Sequence, residues 1–105
     1  MAQIIWTYFA TSALKNIYLY YKIAATQKVA EKIKKSIFLA TQKLAKNPLI
    51  GQIEENLAEL KQGHRYIVAG NYKIIYRVVN NEIYIVDVFD CRQNPQKMKL
   101  HTDLK

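Results

Sequence analysis

Apolar residues in the first half of the chain recur every three or four positions, which is the spacing of one face of a helix. A short strand is predicted over Gln3 to Thr7, and Thr7 can cap a helix that begins at Tyr8, because its hydroxyl accepts from first-turn amides. The two apolar stripes are Ala10, Ala13, Leu14, Ile17, Tyr21 and Ala24, and then Val29, Ala30, Ile33, Ile37, Ala40 and Leu44. The tight connection at Ala25-Thr26 predicts an antiparallel hairpin of two helices, and Asn47-Pro48 ends the second helix.

The last third of the chain has an apolar period of two, which is typical of β-strands. Three strands rich in Ile, Val and Tyr are predicted, over His64 to Ala69, Tyr72 to Val79 and Glu82 to Phe89. Gly70-Asn71 and Asn80-Asn81 separate them, and both pairs tolerate the positive φ of a two-residue hairpin turn. These strands therefore predict a meander of two hairpins.

The middle strand indicates which sheet face the helices cover. Its side chains alternate, so that one set faces the helices and the other faces away. The first set is Tyr72, Ile74, Tyr76 and Val78, and the second is Lys73, Ile75, Arg77 and Val79. The fold class is α+β, with an N-terminal strand and a two-helix antiparallel hairpin packed on one face of an antiparallel β-sheet. A short C-terminal helix is expected at Asn94-Pro95, since proline favours the first helical position.

The second face of the sheet is expected to remain partly open. It would show a set of apolar side chains around the cationic ones, namely Ile67, Ile75, Val79, Val86 and Val88. Apolar groups ringed by charge on so small a protein indicate a partner site. The segment 49–63 is predicted as a surface loop with room for one helical turn, and the tail from His101 to Lys105 is predicted to be mobile.

Length and composition indicate a single domain over residues 1–105. Half of the residues are hydrophobic and 11% are aromatic, which argues against a disordered chain. The single cysteine excludes a disulfide framework and a cysteine-rich zinc site, and it suits the cytoplasm, where we expect the protein. We expect no metal or other cofactor, no signal peptide and no association with a membrane, since no apolar run is long enough to span one.

Positive charge is concentrated in the first 46 residues, which contain eight lysines and a single acid, Glu31. The whole chain has a formal charge of +8, which favours polyanionic partners such as nucleic acid, a ribosome, an acidic protein or anionic lipid. The simplest interpretation of the helical lysines is a solvated helix face. The functional interpretation belongs more to the C-terminal bases, which lie among the strands.

The ordered set of these segments resembles the RelE/ParE superfamily of toxins from bacterial type II toxin–antitoxin modules. The similarity extends over nearly the whole chain. Its first half includes Ile5-Trp6, the first helix and the helix exit at Asn47-Pro48. Its most specific parts are the runs RYIVAGNYKIIYRV at 65–78 and VFDCRQNP at 88–95. The resemblance implies that the chain either cleaves messenger RNA, mostly in the ribosomal A site, or poisons DNA gyrase. It also implies a cognate antitoxin that wraps the toxin.

The resemblance also implies the site residues. RNA cleavage of this kind uses the 2′-hydroxyl as the nucleophile, so the protein must move protons and stabilise charge on phosphorus, for which arginine and lysine are suited. By position, the catalytic candidates are Arg65, Lys73 and Arg92. Arg77, on the same strand face as Lys73, and Lys97, on the short helix, are candidates for binding nucleic acid or the target.

Two residues depart from the RNA-cleaving branch of the superfamily. Lys73 stands where those relatives have a functional arginine, and Met98 falls near the position of their catalytic tyrosine. These departures favour, by a small margin, a gyrase poison without catalysis of its own. His64 and His101 are weaker candidates for acid–base chemistry, because a lone histidine is more often structural.

Each cation also has a structural interpretation. Arg65, Lys73 and Arg77 can be exposed strand bases that discourage edge aggregation, and Arg92 can pair with Asp90. The sequence therefore predicts the toxin of a plasmid-stabilisation module, acting on gyrase or on ribosome-bound messenger RNA. The alternative, from another class, is a non-toxic basic module that binds RNA through its phosphates.

Overall fold

The helices and strands follow the predicted spacing closely. A computed structural model describes residues 2–98, so the expectation for His101 to Lys105 lies outside the described residues. The helices are α1 Tyr8–Ala24 and α2 Gln27–Gln42, and the strands are β1 Gln3–Trp6, β2 Gln52–Ile53, β3 Arg65–Ala69, β4 Tyr72–Val79 and β5 Glu82–Asp90. Short 3₁₀ helices lie at Lys43–Ala45, Glu55–Leu60 and Pro95–Lys97.

A threonine caps the start of each helix. Thr7 accepts a hydrogen bond from the amide of Ala10 at 3.2 Å, and Thr26 accepts one from the amide of Val29 at 3.1 Å. Each bond satisfies a first-turn donor that has no partner inside its own helix. Thr7 also donates its hydroxyl proton to the carbonyl of Ile85 at 2.8 Å, which ties the first turn of α1 directly to β5.

The strands of the described region form one sheet in the order β1-β5-β4-β3-β2. Strands β3, β4 and β5 are the predicted meander, and β2 adds two residues at one edge, antiparallel to β3. At the opposite edge β1 runs parallel to β5, with Gln3 beside Glu82 and Trp6 beside Ile85. The predicted α+β class is confirmed, with one parallel pair at the edge of an otherwise antiparallel sheet.

The helix hairpin packs on the sheet face that contains Tyr72, Ile74, Tyr76 and Val78, as the alternation of residues along β4 predicted. Buried side chains from both helices and from β4 and β5 form one cluster there, which includes Ala10, Ile37, Leu44, Ile74, Tyr76, Ile83 and Ile85. Burial of one such large side chain contributes about 1.5–3 kcal/mol, so this cluster is the main core of the domain. No helix within residues 2–98 is both long and apolar enough to cross a membrane.

The second face of the sheet is covered over part of its area, contrary to the prediction of an open face. A smaller buried cluster lies on it, made of Leu57, Ile75, Phe89 and Met98. Leu57 belongs to the 3₁₀ helix Glu55–Leu60, so the segment predicted as a surface loop packs on the sheet instead. Leu57, Ala58 and Leu60 among three glutamates were too few apolar residues to predict that packing from the sequence.

Most of the apolar side chains expected on the open face are covered. Ile67 and Val88 both pair with Ile74, and paired residues of antiparallel strands share a face, so both lie on the helix side. A β-bulge in the pairing of β4 with β5 is the reason why Val88 lies on the helix side, because the bulge shifts the alternation of β5 by one residue. The members of the set that stay on the second face are Ile75, which is fully buried, the half-buried Val86, and Val79.

The hydroxyl of Tyr76 holds the turn that leads from α2 to β2. Tyr76 is fully buried, and its hydroxyl donates to the carbonyl of Pro48 at 2.8 Å and accepts from the amide of Gly51 at 2.9 Å. A Cβ atom on Gly51 would lie 2.5 Å from that hydroxyl and 2.7 Å from the carbonyl oxygen of Tyr66. The close approach therefore requires glycine, and one phenol fixes the turn against the sheet.

We expect Tyr76→Phe to lower the free energy of unfolding by about 1–3 kcal/mol, because it leaves the buried amide of Gly51 without its hydrogen-bond partner. Tyr8→Phe is the matched control, since Tyr8 is 88% exposed and its hydroxyl should contribute less than about 0.5 kcal/mol. Urea unfolding followed by circular dichroism measures both variants. If the two have equal stability, the hydroxyl does not hold the turn.

Candidate functional site

Lys73 lies on the second sheet face, and its charge is engaged within the chain. Its Nζ is 2.9 Å from Oε1 of Glu54, which is 2% exposed, and 4.2 Å from the ring centroid of Tyr66. The other carboxylate oxygen of Glu54 accepts from the backbone amide and the side-chain amide of Asn56, at 3.1 and 2.8 Å. The ammonium is therefore held between a buried anion and an aromatic face.

The environment of Glu54 keeps this carboxyl ionised. Burial raises its pKa, but the hydrogen bonds from Lys73 and Asn56 outweigh burial, so the pKa lies below the ordinary value of 4.5. At neutral pH Glu54 is consequently an anion that compensates the charge of Lys73. A phosphate that approached Lys73 would have to compete with this carboxylate.

Arg65 does not lie on the same face as Lys73. It pairs with Tyr76 across β3 and β4, which places it on the helix side of the sheet. Its Nη1 donates to the carbonyl of Gly51 at 2.8 Å and to that of Leu49 at 3.4 Å. Arg65 therefore braces the same turn that Tyr76 holds, and its charge is used in the fold.

The two candidates for target binding lie in different settings. Arg77 is on the second face with Lys73, and its Nε donates to the carbonyl of Gln62 at 3.3 Å. Lys97 is exposed in the 3₁₀ helix Pro95–Lys97, where Asn94 caps the turn by accepting from the amide of Gln96 at 3.0 Å. Within the described residues, the short C-terminal helix expected from Asn94-Pro95 begins with a 3₁₀ turn at Pro95–Lys97.

Arg92 follows β5 and is paired with Asp90. Its Nε and Nη2 donate to the two carboxylate oxygens of Asp90 at 2.9 and 2.8 Å, and its backbone amide donates to Oδ1 at 2.9 Å. These hydrogen bonds from Arg92 hold the pKa of Asp90 below its ordinary range. The pairing of Arg92 with Asp90 that the sequence allowed is therefore present, and 57% of the Arg92 side chain remains exposed to solvent.

A groove of about 620 Å³ lies beside Arg92, between α1 and the adjoining ends of β4 and β5. Its walls combine apolar, aromatic and polar side chains, among them Phe9, Ser12, Asn16, Ile17, Tyr20, Tyr72, Val88, Asp90 and Arg92. The apolar stripe of the first helix did not predict this groove, because the stripe defines only the core-facing side of that helix. The available signal was Asn16 and Tyr20, which stand four residues apart beside that stripe.

The three catalytic candidates do not converge on one site. Lys73 lies on the second face, whereas Arg65 and Arg92 lie at separate places on the helix side. The expectation of a shared cationic centre on an open face is therefore wrong. The reason is the pairing register, which turns Arg65 toward Gly51, together with the segment that covers part of the second face.

The acid–base candidates considered from the sequence do not lie beside Lys73 within residues 2–98, where the titratable neighbours besides Glu54 are Glu55 and Tyr66. Met98 is 1% exposed and packs in the smaller cluster, so the residue near the expected tyrosine position is part of a core. His64 is buried, and His101 lies outside the described residues. Residues 2–98 contain no group of three or more His, Cys, Asp and Glu side chains placed to hold a metal ion.

Comparison with known proteins relates this geometry to one family. The family model described as "ParE toxin of type II toxin-antitoxin system, parDE" matches residues 4–95. A solved structure titled "Chromosomal ParDE TA system from P. aeruginosa" is similar, with a TM-score of 0.73 and 23% identity over 86% of this chain and 96% of that chain. At this level of identity the second match is a likeness of fold. No curated protein matches the chain.

Acid should destabilise the protein partly through Glu54. Because its folded pKa is depressed, the stabilisation is fully present above the ordinary pKa of 4.5 and is lost as the pH falls from there through the folded value. Glu54→Gln should lower the stability at pH 7 by roughly 2 kcal/mol and flatten this acid limb. Urea midpoints between pH 7 and pH 3 measure both effects.

The control for this experiment is Glu55→Gln, which changes the exposed neighbour of Glu54. It should leave the stability at pH 7 and the acid limb unchanged. An acid limb that is identical in Glu54→Gln and in the wild type would contradict the role given to the buried carboxylate.

Proposed function

The chain belongs to the ParE family of toxins of type II toxin–antitoxin systems, and we propose that it inhibits growth by binding DNA gyrase and not by cleaving messenger RNA. It is the toxin component of such a module, and its partner there is a cognate antitoxin. Membership of the family favours this function over the non-toxic RNA-binding module that its charge alone would fit.

The ion pair between Lys73 and Glu54 is the observation that supports a non-catalytic toxin most directly. Metal-independent RNA cleavage needs cations that can stabilise the charge developing on phosphorus. Lys73, to which the resemblance gives this task, already has a buried carboxylate 2.9 Å from its Nζ. A phosphate that replaced this carboxylate would leave the charge of Glu54 buried without compensation, which is costly.

The surroundings of Lys73 support the same conclusion. The 3₁₀ helix Glu55–Leu60 packs on this face and brings further carboxylates close to the position that RNA would occupy, where they would repel phosphates. Met98 has no group that can exchange a proton, and it is buried in the smaller cluster. Binding of another protein requires neither a free cation at Lys73 nor a general acid.

Arg92 provides the type of contact that a binding toxin needs. Asp90 fixes the guanidinium through two side-chain hydrogen bonds, and the outer edge of the group is exposed. An arginine that is already oriented loses little side-chain entropy on binding, and arginine is enriched among the strongest interface contacts. We assign Arg92 to the contact with gyrase, with the exposed Lys97 as a second cationic group.

Two variants separate binding from catalysis. Arg92→Ala should raise the toxin concentration that half-inhibits DNA supercoiling by gyrase about tenfold or more. Glu54→Gln combined with Lys73→Gln removes both charges and allows an amide pair to replace the ion pair, so inhibition should stay within about twofold of the wild type. Supercoiling assays with purified protein and growth curves on induction measure both variants.

Cleavage of messenger RNA is measured in parallel by primer extension on translating ribosomes, and we expect none from the wild type. Circular dichroism establishes that each variant is folded. A-site cleavage by the wild type that disappears in the double variant would overturn the proposal in favour of a catalytic toxin. Full inhibition by Arg92→Ala would remove Arg92 from the contact.

We also propose that the groove beside α1 receives a segment of the antitoxin. The face that the sequence predicted for this partner is partly covered, whereas the groove has apolar walls from Phe9, Ile17 and Val88. Arg92 stands at the groove together with Asp87 and Asp90, so an apolar segment would match its walls, and a polar acceptor on that segment could take a hydrogen bond from the exposed part of the guanidinium. A segment bound there would cover Arg92, which would explain how the antitoxin neutralises the toxin.

Asn16→Trp should fill the groove, because Asn16 is an exposed residue of its α1 wall. The variant should remain toxic and escape rescue by the co-expressed antitoxin, with an affinity reduced about tenfold or more. Lys15→Trp is the matched control, since Lys15 is exposed and adjacent but does not line the groove. Titration calorimetry and growth on co-expression measure both, and normal rescue of Asn16→Trp would place the antitoxin elsewhere.

A further inference from the structure

The outward side of α2 carries a row of lysines directly opposite its buried side. With about 100° between successive residues, Lys28, Lys32 and Lys35 lie within about 60° of one another, and Ile37 points the opposite way into the core. The row continues through Lys43 and Lys46 at the end of the helical segment, and all five lysines are exposed. At 1.5 Å per residue the lysine row spans about 27 Å.

These lysines form no ion pair with a carboxylate in the part of the chain that the structure describes. The ion pairs found between residues 2 and 98 are Lys73–Glu54 and Arg92–Asp90, and neither involves the lysine row. Glu31 is the one acid of α2, and its carboxylate accepts from the hydroxyl of Tyr18 on α1 at 3.4 Å. The lysine row therefore presents charge of a single sign to the solvent.

The lysines at the start of the row do not stabilise the helix that carries them, whereas Lys43 and Lys46 lie at its C-terminal end, where the helix dipole favours cations. Lys28 lies in the first turn of α2, which has no acidic residue, and the helix dipole disfavours a cation there. Lys28 and Lys32 are four residues apart, and Lys32 and Lys35 are three apart, which are the spacings at which like charges on a helix repel. Glu31, three residues after Lys28 and four before Lys35, offsets part of this repulsion, and an external polyanion would relieve the rest.

We propose that the lysine row binds the phosphate backbone of double-stranded DNA without reading its sequence. A duplex carries one phosphate charge per about 1.7 Å of its axis, so a segment of this length offers phosphates on both sides of a groove, and lysine binds phosphate as a point charge that needs no fixed geometry. A protein partner matches less well, because interface cores are depleted in lysine and the row offers Leu39 as its apolar side chain. Single strands are bound largely by aromatic stacking, and no member of the row is aromatic.

This surface is separate from the groove, since α2 contributes no residue to the groove lining. Binding of DNA can therefore be measured without gyrase or antitoxin, and its outcome does not depend on the function proposed above. If both proposals hold, the toxin contacts the enzyme through Arg92 and contacts DNA through α2.

The test uses the full chain and a 20-base-pair fluorescent duplex, with the dissociation constant measured by anisotropy between 50 and 200 mM salt. Lys28→Gln combined with Lys35→Gln should weaken binding about tenfold and lower the slope of log K against log salt by about 2, because two phosphate contacts are lost. Lys15→Gln combined with Lys61→Gln removes the same charge elsewhere and should weaken binding less than about threefold.

Three results would overturn the proposal. The first is that the wild type does not bind the duplex at 50 mM salt. The second is that both variant pairs weaken binding equally, which would mean that net charge alone is responsible. The third is that polyglutamate binds through Lys28 and Lys35 while DNA does not, which would make an acidic protein the partner. Circular dichroism of each variant excludes loss of folding as the cause.

Discussion

The buried hydroxyl of Tyr76 determines the course of the chain after the two helices. A phenol in the centre of a sheet is stable only when its oxygen has hydrogen-bond partners, and here these are the backbones of Pro48 and Gly51. The two bonds direct the chain around the sheet edge into β2, and Arg65 braces the same turn. The position of the acidic 3₁₀ helix that follows depends on this direction.

Covering of the second face has a structural and a chemical effect, and both come from one segment. Leu57 completes a small core on Ile75 and Phe89, while Glu54, three residues earlier, reaches Lys73. The contact that adds stability therefore also removes an open cationic face from the sheet. Exposed cations remain at Arg92 and along α2, which is why the functions proposed here rest on binding surfaces.

The periodic elements were predictable from the sequence, because many residues contribute to each pattern, and the helix hairpin and the meander lie where the spacing placed them. The irregular features could not be predicted from the sequence. Leu57 has too few apolar neighbours to define a face, and the bulge that turns Val88 inward depends on how β5 pairs with β4. The face of Arg65 depends on register, which the sequence does not specify locally, whereas the pairing of Arg92 with Asp90, two residues apart, could be anticipated.

The parallel pairing of β1 with β5 joins the two ends of the described chain, since Gln3 lies beside Glu82. During synthesis the helix hairpin can form from local contacts as soon as it leaves the ribosome, but β1 has no strand partner until β5 emerges. The hydroxyl of Thr7 likewise waits for the carbonyl of Ile85. An interrupted translation that stops before β5 therefore yields an unfinished sheet, and the cell acquires a folded growth inhibitor only after β5 has been made.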